Sequence, residues 1–322
     1  MFGDHDQRPT TPTTPSTPST LIAAEVATSD DGDWNTDEHN AVGFSSETLR
    51  ESMARQLEED RFPVPPLPAA VAQLNAQAGQ EDWDVGEACA TLEHDAALAG
   101  RVLATASAAF FGFKAPSNLR QAVMRLGAIG LRDLCFALML GRVFPARGAY
   151  RLLIEQEHLE AFPRARACQT VFAALDLDRS VGFLGGLLAD IGRLAMLAVL
   201  AQHPQARRRV DLAPALLDLL HAEVGAQVIG RWELDPTLTT IARWHHDPSG
   251  LPMDTDDEVR RIVEATALTV KMYEQRDGVS DEVVTELLVD DPLAVTLDPI
   301  VLVELFAEVV SEAEKAKGIP TA

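Results

Sequence analysis

The sequence predicts an all-α protein. Apolar residues recur at helical spacing through most of the chain after Val71. No stretch alternates as a strand does, and β-branched runs are missing. Asp, Asn and Ser repeatedly stand just before an apolar-periodic segment, where their side chains can accept the free N–H groups of a first helical turn.

The elements follow in order. Thr11–Thr20 reads TPTTPSTPST, and residues 1–44 bury too little apolar surface to offset their ordering entropy, so they are predicted disordered. Residues 45–60 hold a short amphipathic helix and linker. Ser45-Ser46 can cap the helix, and Leu49, Met53 and Leu57 form one stripe that can pack on the main domain or on a partner. Phe62–Pro68 reads FPVPPLP, a stiff boundary, and Val71 and Leu74 are core positions of the helix that follows. Asp84 caps Val85–Glu93. Asp95 caps Ala96–Ala108, with Leu98, Val102 and Leu103 inward. Asn118 caps Leu119–Leu126. Gly127 and Gly130 mark a turn before Leu131–Phe144, which is apolar almost all round and therefore central. These segments make a first lobe, 61–148. A second lobe, 149–250, contains Arg151–Leu159, Arg164–Leu175, Val181–Gln202, Pro214–Glu233 and Pro236–His246. An acidic helical extension, 251–322, adds Asp257–Gln275, Asp281–Val289 and Pro299–Lys317.

Charge separates the centre from its flanks. The net charge is −22, divided as −10 over 1–60 (13 acidic, 3 basic), −1 over 61–250 (19 acidic, 18 basic) and −11 over 251–322 (17 acidic, 6 basic). Acidic flanks oppose nonspecific nucleic-acid binding, which depends on neutralising phosphates, and favour solubility. Cys89, Cys135 and Cys168 form no metal-type cluster and read as buried thiols of a reducing compartment. The N-terminus lacks the basic-then-apolar pattern of a secretory signal. The longest apolar stretch, Phe183–Ala201, carries Asp190 and Arg193. Each would cost about 3 kcal/mol at a bilayer centre, so no membrane span is expected. Cytoplasmic location is the expectation.

The most informative residues are Ala189-Asp190, inside LGGLLADIGRLAML at Leu184–Leu197. Around them stand DAALAGRVLATASAAFFG at Asp95–Gly112, LRQAVMRLGAIGL at Leu119–Leu131, HAEVGAQVIGRWEL at His221–Leu234 and IARWHH at Ile241–His246. Together, over Phe62–Pro248, these stretches resemble the HDOD domain, a bacterial relative of the HD phosphohydrolases that generally lacks their full set of metal ligands. The resemblance implies a two-lobed helical fold. It also implies that an HD enzyme would hold a metal with a His-Asp pair where this chain has Ala189 and Asp190. An earlier histidine should lie on the preceding helix, and FPRARACQTVFAALDL (Phe162–Leu177) contains none; His158, upstream, is assigned to another element. The polar candidates left for a vestigial cavity are Asp190, His221, His245 and His246. A lone carboxylate holds divalent ions weakly, and without a held metal no water is activated. No catalytic residue, metal or cofactor is therefore expected.

Each candidate also has a structural reading. Asp190 is expected to pair with Arg193, three residues on, or with a histidine from a neighbouring helix. His245 and His246 are adjacent, and adjacent helical side chains point about 100° apart, so convergence on one ion is not expected. One is expected to pack inward and the other to cap a helix C-terminus. His221 reads as a hydrogen-bonded histidine. Gly185-Gly186 would let two helices approach closely, Arg207–Arg209 would be a solvated loop, and Trp232 and Trp244 would pack in the core, although beside Arg231 and Arg243 they could stack a base.

The expected function is that of a non-enzymatic bacterial signal-transduction protein, a scaffold that docks another signalling protein, with its acidic flanks and the 45–60 helix tuning that contact. One alternative is a sensor that binds a small nucleotide, such as a cyclic dinucleotide, in the emptied cavity. A second is a weak metal-dependent phosphohydrolase with unrecognised ligands.

Overall fold

A computed structural model describes residues 46–109, 115–278 and 291–316. The expected disorder of 1–44, the Ser45 cap, the end of the Asp95–Gly112 stretch and the helix at 281–289 lie outside these residues. The described residues are helical throughout, with no strand among them. The order is α1 (Ser46–Glu58), α2 (Ala69–Ala78), α3 (Val85–Glu93), α4 (Ala96–Ala109), α5 (Leu119–Val143), α6 (Arg151–Ala174), α7 (Arg179–Leu188), α8 (Ile191–Leu200), α9 (Ala213–Arg231), α10 (Pro236–Trp244), α11 (Asp257–Glu274) and α12 (Pro299–Ala316).

Local chemistry explains most boundaries. Asp84 accepts from the Glu87 N–H at 2.8 Å, Asp95 from Leu98 at 3.1 Å and Asn118 from Gln121 at 2.9 Å, three caps that satisfy otherwise free donors. α5 bends at Gly127, where φ is 67°. Beyond the bend every residue from Leu131 to Leu140 is buried, so this segment is the central helix its apolar composition predicts. Its two charged residues pair with each other: Arg132 donates to Asp133 Oδ1 from Nε at 2.9 Å and from a terminal nitrogen at 2.6 Å, and also reaches the Ser180 carbonyl at the start of α7.

Two predicted boundaries are wrong. Arg151–Leu159 and Arg164–Leu175 form one helix, α6, which runs through Pro163. Pro163 lacks an N–H but its neighbours are buried among α5 and α7, and that packing outweighs one lost helical bond. Conversely, Val181–Gln202 divides at Ala189-Asp190 into α7 and α8.

One continuous apolar core runs from α1 to α12. Leu49, Met53 and Leu57 of α1 are buried as their stripe predicts, and Gln227 of α9 donates to the Leu57 carbonyl at 2.6 Å. Trp232 Nε1 donates to the Pro65 carbonyl at 2.8 Å, fixing the proline-rich segment. On the other side α12 buries Leu302, Leu305, Phe306 and Val309, and Tyr273 of α11 donates to Glu160 of α6 at 2.6 Å. The acidic extension therefore completes the core. Arg179–Leu200 and Val210–Arg231 are long and apolar enough to cross a bilayer, and 78% of the first is buried inside the protein.

Candidate functional site

The break between α7 and α8 builds the site. The last α7 bond runs from the Ala189 N–H to the Gly185 carbonyl, and Asp190 then takes φ −97°, ψ 19°. A carboxylate stands where the apolar run is interrupted, only 8% exposed. A group so buried needs partners.

Its first partner is Arg164 of α6, whose terminal nitrogen lies 2.8 Å from Asp190 Oδ2. Arg164 is itself buried, and its Nε donates to the Gly186 carbonyl at 2.9 Å. The helices must be close for this: a Cβ on Gly186 would meet Cys168 Sγ at 2.7 Å and the Ala165 Cα at 2.9 Å. The close approach expected of Gly185-Gly186 is therefore present at Gly186, and it delivers the arginine. Arg193, the sequence-based candidate, turns away from Asp190 to Glu157 at 2.7 Å and Asp218 at 2.9 Å. Arg193, mostly buried, is held by those two carboxylates from α6 and α9.

The other carboxylate oxygen faces three imidazoles. Nε2 of His221, His245 and His246 lie 3.3, 3.3 and 3.9 Å from Asp190 Oδ1. These four ligand-type atoms all lie within 4.8 Å of one another. His221 reaches the cluster because α8 and α9 touch at Gly192, where a Cβ would overlap the His221 carbonyl oxygen and come within 2.6 Å of the Gly225 nitrogen. His245 is the C-cap of α10 and His246 follows the helix end, so the 100° separation of helical neighbours does not apply. Contrary to expectation the two rings converge, with centroids 4.1 Å apart. His245 does pack inward, fully buried, while His246 forms the open side, its side chain 40% exposed.

Hydrogen bonds fix the rings. His221 Nδ1 contacts the Leu217 carbonyl at 2.6 Å and His245 Nδ1 the Ala242 carbonyl at 2.9 Å. A carbonyl only accepts, so both Nδ1 atoms carry hydrogen and, in the neutral rings, both Nε2 atoms present lone pairs. Burial opposes ionisation of Asp190, but Arg164, His245 and His221 outweigh it and hold its carboxyl well below the usual range. Burial lowers His221, and burial with the neighbouring His245 pushes His246 down to about 3.

The remaining candidates fall elsewhere. His158 shares α6 with Arg164, not another element, and packs near Ala137 and Leu140 of α5. Arg207–Arg209 is exposed, with Arg209 paired to Asp211. Trp232 is buried and Trp244 packs against the core. The arginines beside them are engaged, Arg231 by Asp60 and the Phe62 carbonyl, Arg243 by Glu223. Arg164 was missed by sequence reasoning. Its signal was a charge four residues before Cys168 and eight before Phe172, on the buried side of α6.

The HDOD domain family matches residues 64–248, more than half of the chain. An uncharacterized protein of Treponema pallidum is 24% identical over 234 residues, which cover 67% of this chain and 43% of that protein; the chain thus spans less than half the length of this relative. Among solved structures, an HDOD domain protein of unknown function from Geobacter sulfurreducens superposes with a TM-score of 0.63 at 20% identity, over 85% of this chain and 99% of that one. A provisionally named metal-dependent phosphohydrolase from Shewanella amazonensis gives 0.62 at 16% identity, over 83% and 99%.

Proposed function

Because the chain belongs to the HDOD domain family, we propose that it is a cytoplasmic regulatory protein that docks another signalling protein and hydrolyses no phosphate ester. The observation that carries this reading is the state of Asp190. Its pair-mate is Ala189, which offers no ligand, and one of its oxygens is held by the buried guanidinium of Arg164. Metal-assisted hydrolysis needs an ion with an open position for water or substrate. Here the free carboxylate oxygen faces three imidazoles, an arrangement that favours pairing within the cluster over an open position for water. Three buried free cysteines suit a reducing compartment. The nucleotide-sensor reading gains no support, since Arg231 and Arg243 are committed to protein partners.

Two measurements test this. The full chain, assayed on phosphomonoesters and cyclic dinucleotides in manganese, is expected to show no turnover above that of Asp190→Asn; turnover that Asp190→Asn abolishes would overturn the non-enzymatic reading. Cross-linking in the native host, with the linked residues identified, is expected to join the helical domain to one signalling protein, and linkage only to itself would count against docking.

A further inference from the structure

We infer that the outer face of α12 is a docking surface and that the partner it fits presents a basic amphipathic helix. This surface gives the docking reading a place and rests on that reading; it lies beyond residues 64–248, which match the family. α12 carries two apolar stripes. Leu302, Leu305, Phe306 and Val309 are buried against the domain. Ile300, Val303 and Ala307, again at helical spacing, face solvent, Ile300 with 69% of its surface exposed and Val303 with 51%. Val301 and, in the preceding turn, Val295 are exposed as well. A surface helix ordinarily has one such stripe, with polar residues opposite. Single exposed apolar side chains are common, but four of the ten large ones among the described residues fall within Val295–Val303, and concentration of that kind marks an interaction site.

The stripe stands on a fixed support. Asp298 accepts from the Ile300 N–H at 2.8 Å and so caps the helix. In the turn before it, the buried Asp291 accepts from the Leu293 and Ala294 N–H groups at 3.1 and 3.2 Å and from Lys271 of α11 at 2.8 Å. Further along, Arg166 of α6 donates to Glu312 at 3.1 Å. A face already held in place loses little freedom when a partner covers it.

Charge selects the occupant. Glu304 and Glu308, one helical turn apart, are exposed along one edge of the stripe, and neither pairs with a cation among the described residues. A second copy of the chain would set these carboxylates against an equally acidic face, and like charges placed together oppose association. An anionic lipid surface is repelled for the same reason. The chain's own remaining segments carry the same sign: residues 1–45 are −7 (8 acidic, 1 basic) and residues 279–290 are −4 (4 acidic, none basic). A helix with an apolar stripe edged by Lys or Arg covers the valines and isoleucine and meets both glutamates.

The test uses the full chain and two double variants. Ile300→Ser with Val303→Ser removes the stripe and keeps every charge; Glu304→Gln with Glu308→Gln removes the charge and keeps the stripe. All four side chains are exposed, so both variants are expected to melt with the wild type. The probe is a synthetic Leu/Lys amphipathic helix, and its Leu/Glu counterpart is the control. The Leu/Lys helix is expected to bind one to one, about tenfold or more weakly to the serine variant, and with less salt dependence to the glutamine variant. The Leu/Glu helix is expected not to bind. Equal affinity for wild type and serine variant would overturn the surface, because charge alone would then carry the binding. Binding of the Leu/Glu helix as tightly as the Leu/Lys helix would overturn the basic partner. Cross-links in the native host that join a signalling protein elsewhere on the domain and never through α12 would sink this surface and leave docking intact, whereas links between copies only would sink both.

Discussion

Among the described residues two buried Arg–Asp pairs stand out, and they are not equivalent. Arg132 and Asp133 are neighbours in sequence on the central helix α5. Arg164 and Asp190 come from different helices and meet only because α6, α7 and α8 pack closely. Burial dominates Asp133 and pushes its carboxyl up to about 6 in spite of Arg132. Burial also opposes ionisation of Asp190, yet Arg164 and the histidines reverse the balance and drive it down. Arg132 addresses only one oxygen of Asp133. Asp190 has an arginine on one oxygen and imidazoles on the other. Of the two buried carboxylates, the one addressed on both oxygens is the one whose charged form is favoured.

The largest test of this contrast is Asp190→Asn. Removing one member of a buried pair strands the other charge, typically at about 3–5 kcal/mol. Arg164 would keep the Gly186 carbonyl and a neutral amide oxygen but lose the charge paired with it, so urea unfolding is expected to show a loss of that size. The joint replacement Arg164→Met with Asp190→Leu removes both charges and is expected to recover most of it, since apolar substitutes for a buried pair are often neutral. Equal losses in the single and double variants would show that the pair contributes nothing specific.

A smaller effect is expected from Gly192→Ala. The added methyl would overlap the His221 carbonyl oxygen, backbone that cannot rotate away, so α8 and α9 must separate. Overpacking of this kind costs about 1–3 kcal/mol. No such contact supports Arg132–Asp133. A crystal structure of the variant is expected to show His221 withdrawn from Asp190 and the α5 pair unchanged; both pairs unmoved would mean that the close approach is not what assembles the site.

The fold was largely legible because its signals are local. Periodicity placed the helices, and Asp84, Asp95 and Asn118 marked their starts by chemistry that acts over three residues. The helix break at Ala189-Asp190 was not legible, because the run is apolar on both sides and only a tertiary ion pair holds Asp190 there. Pro163 misled in the other direction, since packing kept α6 intact across it. Of the site, Asp190, His221, His245 and His246 were all picked out by residue type. Their convergence was not, because the helical-neighbour rule was applied to His245 and His246 where α10 has already ended. Arg164 was missed because a partner across three helices leaves no spacing to read.

The smallest expected effect is on the other pair, and it carries a pH signature. Asp133 has a folded pKa of about 6 against an ordinary value of 3.8, so the native state binds more protons between those values. The sign follows: its contribution is most favourable when protonated, falls as pH rises from about 4 to about 6, and is flat above. Asp133→Asn resembles the protonated form and keeps an acceptor for Arg132, so at neutral pH it is expected to cause no loss of stability. The difference in unfolding free energy between wild type and variant should shift in the variant's favour between about pH 4 and 6 and then stay constant. Repulsion among the chain's many carboxylates is common to both proteins and cancels in that difference. A difference that stays flat over this window, or a loss at neutral pH as large as that of Asp190→Asn, would show that Arg132 holds Asp133 charged and that the two pairs are alike after all.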